Sequence, residues 1–239
     1  MKRKSIGYRT MLFQRVLLIS IFAFFMLLFL VSTTAIFSFD LQITHALQSL
    51  QYPLFAEFMS VVSWMGYAPQ SYILVGLIVL LFYGFGLHWE AFVLLLDAVV
   101  VQVLNMLVKI IIHRPRPTTD LAHVARTLSG YSFPSGHVMF YTGFFGFIWF
   151  LTFMLLKSSW KRTFLLVIFG SLILMIGISR IYLGEHWASD VIGAYLLGNL
   201  ALMGTIQYYH WGKARWLSLR SANDKNRNDD DEPSDDLNG

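Results

Sequence analysis

The sequence predicts an all-α polytopic membrane protein, a bundle of six transmembrane helices with cytoplasmic N- and C-termini. Three observations carry that expectation. Of 239 residues, 56% are hydrophobic and only 13% are charged, whereas charged residues make up about a quarter of soluble domains. Apolar runs near the roughly 20 residues that span a bilayer recur along the chain. Lysine and arginine concentrate in alternate connections, the pattern that sets membrane orientation. The length suits one membrane domain, residues 16–210, between a basic cytoplasmic segment, 1–15, and a cytoplasmic tail, 211–239.

Taken in order, Lys2, Arg3, Lys4, Arg9 and Arg15 precede a first span over Val16–Phe37. It is longer than the apolar part of a signal peptide, and Ser32-Thr33-Thr34-Ala35 is a poor cleavage site, so we read an uncleaved helix. Ser38–Gly66 has neither lysine nor arginine, and its apolar residues recur at helical spacing on either side of Pro53. The readings are two short amphipathic helices lying on or dipping into the interface, or an ordinary structured loop packing on the bundle. Span two covers Gln70–Leu87, and the His88-Trp89-Glu90 turn leads into span three, Ala91–Ile112. Span three holds Asp97, Gln102, Asn105 and Lys109, polar residues that face a bundle or cavity rather than lipid. Asn105 and Lys109, four apart, share a face. Asp97 lies about 18 Å from Lys109 along the axis, and reads as a buried carboxylate hydrogen-bonded to a neighbouring helix.

Spans four to six follow as Val138–Leu156, Phe164–Ile178 and Trp187–Tyr209. Trp211 and Trp216 serve as interfacial anchors. The tail from Ser221 holds seven acids against Lys225 and Arg227, so it carries −5 and the first 220 residues +9 of the overall +4. Such a tail is expected to lack fixed structure. The basic residues are spread around the spans rather than gathered in a stripe, which excludes nucleic acid as a partner. The chain has no cysteine, so disulfides, thiolate metal sites and a cysteine nucleophile are excluded.

Basic residues at the N-terminus, at Lys157–Arg162 and at Lys213–Arg220 place those segments in the cytoplasm. By alternation the loop His113–Pro134 lies outside, although it carries Arg114, Arg116 and Arg126. Basic residues on the disfavoured side point to an anionic ligand. The six-span layout brings Lys109, Arg116, Ser135, Gly136, His137, Arg180, His186 and Asp190 to that same outer level. Phe133-Pro134-Ser135-Gly136-His137 reads as a loop that presents a hydroxyl, backbone N–H groups and an imidazole at a helix N-terminus, where anions are favoured. Lys109, Arg116 and Arg180 supply charge for phosphate oxygens. His186 and Asp190 sit one helical turn apart, so the carboxylate can hold one imidazole nitrogen and leave the other to attack phosphorus. His137 is then placed to protonate the leaving oxygen and activate water.

Lys109-x6-Arg116-Pro117, Pro134-Ser135-Gly136-His137 and Ser179-Arg180-x5-His186-x3-Asp190 together resemble the three-part signature of the type 2 phosphatidic acid phosphatase superfamily, the lipid phosphate phosphatases. The resemblance implies a six-helix bundle with an extracytoplasmic active site and a phosphohistidine intermediate on His186. It further implies His137 as acid and base, Asp190 as orienter, and Lys109, Arg116, Ser135, Gly136 and Arg180 around the phosphate, with neither metal nor cofactor. Its substrate is a lipid of the bilayer, phosphatidic acid or phosphatidylglycerol phosphate, with undecaprenyl diphosphate as the alternative. A vanadate-dependent haloperoxidase shares the pocket chemistry but not the need for six spans, and a non-enzymatic lipid-binding protein has no need of the complete residue set. The expected location is a bacterial plasma membrane. Arg114 and Arg126 read either as cations that steer headgroups or as solvated loop residues. Tyr131 and Phe133 read as lipid-chain contacts or loop packing. Glu185 is left between tuning the nucleophile and facing solvent.

Overall fold

The computed structural model describes residues 2–231, with side chains over 11–215. Its elements are α1 (Lys2–Thr33), α2 (Ser38–Gln48), α3 (Pro53–Trp64), α4 (Gln70–Gly84), α5 (His88–Ile112), α6 (Gly136–Phe140), α7 (Gly146–Leu155), α8 (Trp160–Tyr182) and α9 (Ala188–Asp231). No strand occurs among the described residues. A π-helical segment, Tyr141–Phe145, joins α6 and α7 into one span, Gly136–Leu155.

Five helices are long and apolar enough to cross a membrane: residues 11–33 of α1, α5, the α6–α7 span, α8 and residues 188–215 of α9. The expected second span is a shorter apolar helix, α4, of 15 residues. At 1.5 Å per residue it reaches about 22 Å, short of the roughly 30 Å hydrocarbon core. Three residues, Phe85-Gly86-Leu87, turn it back to pack on α5. Other boundaries also shift. Helix α8 continues through Ser179 and Arg180 to Tyr182, so both lie in its last turns rather than beyond it. Helix α9 runs to Asp231, past the start of the tail for which no fixed structure was expected. Trp216, Arg220 and the acidic side chains beyond them lie outside the described side chains, as do Lys2, Arg3, Lys4 and Arg9.

The α6–α7 span is the most buried of the five and forms the centre of the bundle. Glycines allow neighbours to approach it closely, as small residues do in membrane helices. A Cβ on Gly143 would lie 2.6 Å from Val101 of α5, and one on Gly146 would lie 2.7 Å from Leu202 of α9. Asp97 is fully buried beside Gly143 and accepts a hydrogen bond from Thr205 of α9 at 2.7 Å, the interhelical contact expected for it. Helix α1 is peripheral and packs on α9 through Phe24 and Val31, with Phe133 against them. The Phe133 ring stacks on Phe24 at 6.4 Å and is fully buried, so loop packing is its role.

The stretch between α1 and α4 does fold into two helices, α2 and α3, divided at Pro53, and both pack on the bundle. Gln48 of α2 stitches the loop between α5 and α6 down. Its side chain donates to the carbonyls of His123 (2.7 Å) and Tyr182 (3.0 Å) and accepts from the His123 N–H (2.9 Å). His45 also reaches Leu121 O at 2.9 Å. Beneath the loop, Gly184 has φ +66°, and a Cβ there would lie 2.0 Å from the His123 carbonyl oxygen. Backbone conformation and contact both demand glycine at that point. Gly184→Ala should therefore destabilise the protein by about 1–3 kcal/mol, seen as a lower thermal unfolding midpoint in detergent. An unchanged midpoint would contradict the close docking of loop on turn.

Candidate active site

Each predicted site residue is carried by a helix end or by a loop pinned to one. Lys109 lies in the last turn of α5, and His113 closes that helix in the left-handed conformation (φ 53°). Arg116 stands on the following loop. Ser135 is the N-cap of α6, and Gly136 and His137 form its first turn. Arg180 ends α8, His186 occupies the turn after it, and Asp190 sits in the first turn of α9. Lys109, Arg116, Gly136, His137 and His186 line one end of a cavity of about 790 Å³. Ser135, Arg180 and Asp190 stand behind that wall rather than on it. The cavity continues as an apolar groove between α4 and α5, past Val75 and Val79 on one side and Val103, Val99 and Leu95 on the other.

His186 is buried, with Arg116 Nη1 3.3 Å from its Nε2 and Asp190 Oδ2 3.5 Å from its Nδ1. Burial holds this imidazole well below its ordinary pKa of 6.5, and Arg116, Lys109 and Arg180 add to the effect. It is therefore neutral. A guanidinium only donates, so Nε2 holds the lone pair and the proton sits on Nδ1, facing Asp190. That is the form in which Nε2 is a nucleophile.

Asp190 is held from all sides. Its Oδ2 accepts from the Trp187 N–H (2.9 Å) and from the Ser132 hydroxyl (2.5 Å), and its Oδ1 accepts from Arg114 Nη1 (2.6 Å). Arg114 corrects both sequence readings offered for it. It is neither solvated nor free to steer headgroups, being 2% exposed. Its Nη2 pairs with Asp40 of α2 at 2.7 Å, and its Nε donates to Ala35 O at 2.8 Å. Asp40 in turn accepts from the Ser189 N–H and hydroxyl, both at 2.8 Å.

Arg180 is fully buried and pairs with Glu185, which is buried too and does not face solvent. Its Nη1 also donates to Ser63 Oγ (3.0 Å) and Tyr67 Oη (2.9 Å), both brought by α3 and the turn after it. The Tyr67 hydroxyl donates to Glu185, and burial raises its pKa. The Tyr67 ring meets the His137 ring edge-on at 4.5 Å. A Cβ on Gly66 would lie 2.3 Å from His137 Cδ2, so glycine is needed to seat that imidazole.

Three buried atoms here have no hydrogen-bond partner in the protein: Ser135 Oγ, His137 Nε2 and Arg180 Nε. A serine at an N-cap ordinarily accepts from its own helix, yet Ser135 makes no capping bond. Orphaned buried polar groups cost about 1–3 kcal/mol each, and such a set suits an anion that supplies the missing acceptors and charge. Asn105 Nδ2 holds this loop through Pro134 O at 3.0 Å, and a Cβ on Gly136 would come 3.1 Å from Asn105 Oδ1. Lys109 donates to the carbonyls of Tyr131 and Ser132, fixing the loop from the other side. Among the described residues, no cluster of three histidine, aspartate or glutamate side chains could hold a metal ion.

Sequence reasoning missed Asp40, Ser63, Tyr67 and Ser132 altogether. Asp40 left one faint signal, being one of only two acidic residues, with Glu57, between Ser38 and Gly66.

The arrangement has known relatives. The model of the PAP2 superfamily matches residues 86–214, more than half of the chain. The chain belongs to the PAP2 superfamily. It is 33% identical to phosphatidylglycerophosphatase B of Bacillus subtilis (strain 168) over 76% of this chain and 89% of that protein. It is 29% identical to dolichyldiphosphatase of Saccharomyces cerevisiae over 65% of this chain and 68% of that protein. The crystal structure of a transmembrane PAP2-type phosphatidylglycerolphosphate phosphatase from Bacillus subtilis superposes with a TM-score of 0.71 at 27% identity, covering 80% of this chain and 94% of that one. LpxE of Aquifex aeolicus shares the fold, with a TM-score of 0.58 at 22% identity over 72% of this chain and 97% of that one. The protein is thus a multi-pass membrane phosphatase of lipid phosphates.

Two outcomes follow for this site. Arg114→Met strands Asp40 and Asp190 as buried carboxylates without their cation, and should lower stability by about 3–5 kcal/mol, read from thermal unfolding in detergent. A loss below about 1 kcal/mol would show that the pair is solvated. The second concerns pH. Folded His186 resists a proton that the unfolded chain accepts near 6.5, so stability is lost as pH falls through that value. The unfolding midpoint should drop between about pH 7.5 and 5.5, and His186→Gln should reduce the drop. An equal drop in the variant would contradict the neutral assignment.

Proposed function

We propose that the protein hydrolyses terminal phosphates of membrane lipids at the extracytoplasmic face, through a covalent phosphohistidine on His186 and without a metal. The observation that carries this reading is the neutral His186, with Nε2 toward Arg116, at the polar end of a cavity whose other end is an apolar groove between α4 and α5. From Lys109 to Leu95 the groove follows α5 for about 21 Å, enough for much of an acyl or prenyl chain whose phosphate lies at the histidines.

In the first step Nε2 of His186 forms a bond to phosphorus as the P–O bond to the lipid breaks. His137, which takes up a proton together with the anionic substrate, gives it to the departing alkoxide. Lys109, Arg116 and Arg180, with the Ser135 hydroxyl and the backbone N–H groups at Gly136, stabilise the charge on the transferring phosphoryl group. In the second step His137 takes a proton from water as its oxygen bonds phosphorus and the P–N bond breaks. Phosphate leaves and both imidazoles return to their starting states.

Phosphatidylglycerol phosphate is the first substrate to consider, because the relative at 33% identity carries that activity in its name; phosphatidic acid offers the same terminal phosphate. A polyprenyl diphosphate such as undecaprenyl diphosphate is the second reading, favoured by the likeness to dolichyldiphosphatase and by Arg126. The Arg126 guanidinium is exposed over the Tyr67 ring at 4.7 Å, on the face of the site where a second phosphate would emerge. In topology, the reading has α4 as a sixth crossing, both termini in the cytoplasm and the protein in a bacterial plasma membrane.

Phosphate release by the purified protein from phosphatidylglycerol phosphate, phosphatidic acid and undecaprenyl diphosphate tests the function. Release from at least one is expected, with a loss of about a thousandfold or more in His186→Ala. No release from any, or full activity in a folded His186→Ala, would overturn it. EDTA should leave the rate unchanged, and inhibition reversed by Mg²⁺ would contradict the metal-free route. For topology, a cysteine placed by Ser129→Cys should react with an impermeant thiol reagent from outside the cell only. Labelling from the cytoplasm would reverse the orientation.

A further inference from the structure

Asp190 and His186 are within ion-pair range but share no direct hydrogen bond. Oδ2 lies 3.5 Å from Nδ1. The hydroxyl of Ser132 bridges them, 3.3 Å from Nδ1 and 2.5 Å from Oδ2. We propose that Ser132 is a positioning residue of this phosphatase, carrying the hydrogen bond from the imidazole of His186 to the carboxylate of Asp190.

Three observations support this. First, the direction of the bonds is consistent. Arg116 can only donate, so Nε2 accepts and Nδ1 bears the proton. Ser132 Oγ accepts that proton's hydrogen bond and spends its own proton on Asp190. Second, the carboxylate is not free to approach the ring. Its Oδ1 is tied to Arg114 at 2.6 Å, and its Oδ2 also accepts from the Trp187 N–H at 2.9 Å. Third, Ser132 is itself fixed. It is fully buried, its N–H donates to Arg114 O at 2.8 Å, and its carbonyl accepts from Lys109 at 3.4 Å. The same residue thus joins the phosphate-binding lysine, the buried arginine and the nucleophile. When Nε2 bonds to phosphorus the ring becomes cationic, and the relay passes part of that charge through the hydroxyl to Asp190. Removing the hydroxyl takes away the side-chain group that carries the Nδ1–H bond to the carboxylate and leaves Asp190 Oδ2 at 3.5 Å, while Arg116 keeps the proton on Nδ1.

The inference rests on the phosphohistidine reading, and its test has one arm that does not. In the kinetic arm, Ser132→Ala should lower kcat about 10- to 100-fold, as when partners that orient functional histidines are removed, while KM stays within about twofold. Ser132→Thr, which restores a hydroxyl, should recover part of the loss. In the spectroscopic arm, ¹⁵N-histidine-labelled protein in detergent is compared with His186→Ala to identify the His186 resonances. Wild type should show the neutral Nδ1–H form, and Ser132→Ala should keep that form with its Nδ1 resonance shifted by the loss of the hydroxyl acceptor. Unchanged kcat together with an unchanged Nδ1 resonance would overturn the role of Ser132. If wild type released no phosphate from any lipid, the proposed function would fall, and the spectroscopic arm would still decide on Ser132.

Discussion

Arg114 sits with almost no exposed surface between Asp40 and Asp190, and much of the end of the molecule that holds the candidate site is arranged around it. Three charges buried together require close pairing and full hydrogen bonding, because removing any one leaves another uncompensated in a low dielectric. The network meets that demand with Ala35 O on one side, Ser189 on another, and the Trp187 N–H and Ser132 hydroxyl on the far carboxylate. It also joins parts of the chain that are distant in sequence: the segment after α1, the first turn of α2, the loop between α5 and α6, and the start of α9. A carboxylate bound this tightly cannot drift toward the neighbouring histidine. It holds a fixed position, and the smaller groups around it adapt.

The second half of the site follows from a surplus of positive charge. Lys109, Arg116 and Arg180 converge near two imidazoles, and only Arg180 has a carboxylate of its own, Glu185. With burial, those cations keep His186 neutral, the form that the proposed attack on phosphorus requires. They also define the charge of the ligand, since a doubly charged phosphate would relieve their mutual repulsion. The apolar groove beyond them selects a ligand with a hydrocarbon tail. A pocket whose two ends want such different chemistry fits a lipid phosphate better than a soluble one.

Much of this was legible in the sequence. Apolar runs marked the spans, Pro53 divided two short helices, and the motifs holding Lys109, Arg116, His137, Arg180, His186 and Asp190 picked out side chains that the fold gathers at one site. What stayed hidden were contacts that no local pattern encodes. Asp40 lies 74 positions from Arg114, and Ser63 lies 117 from Arg180. Such pairings depend on how α2 and α3 fold back on the bundle, and periodicity describes a helix face without naming its partner. Arg114 was misread for the same reason, because an arginine between a histidine and a proline at the start of a polar loop looks solvated until the carboxylates that bury it are placed. The length of α4 was blurred by Phe85 and Leu87, apolar residues of a turn that extend the hydropathic run past the helix end.

The claim on which the account turns is that His186 Nε2 takes the phosphoryl group. The direct measurement is to quench turnover of a ³²P-labelled lipid phosphate in alkali, where a P–N bond survives, and to locate the label by peptide mass spectrometry. The account predicts phosphorylated His186, with no label in His186→Ala. Label on His137 instead, or continued turnover with no phosphoenzyme trapped at any time point, would contradict it.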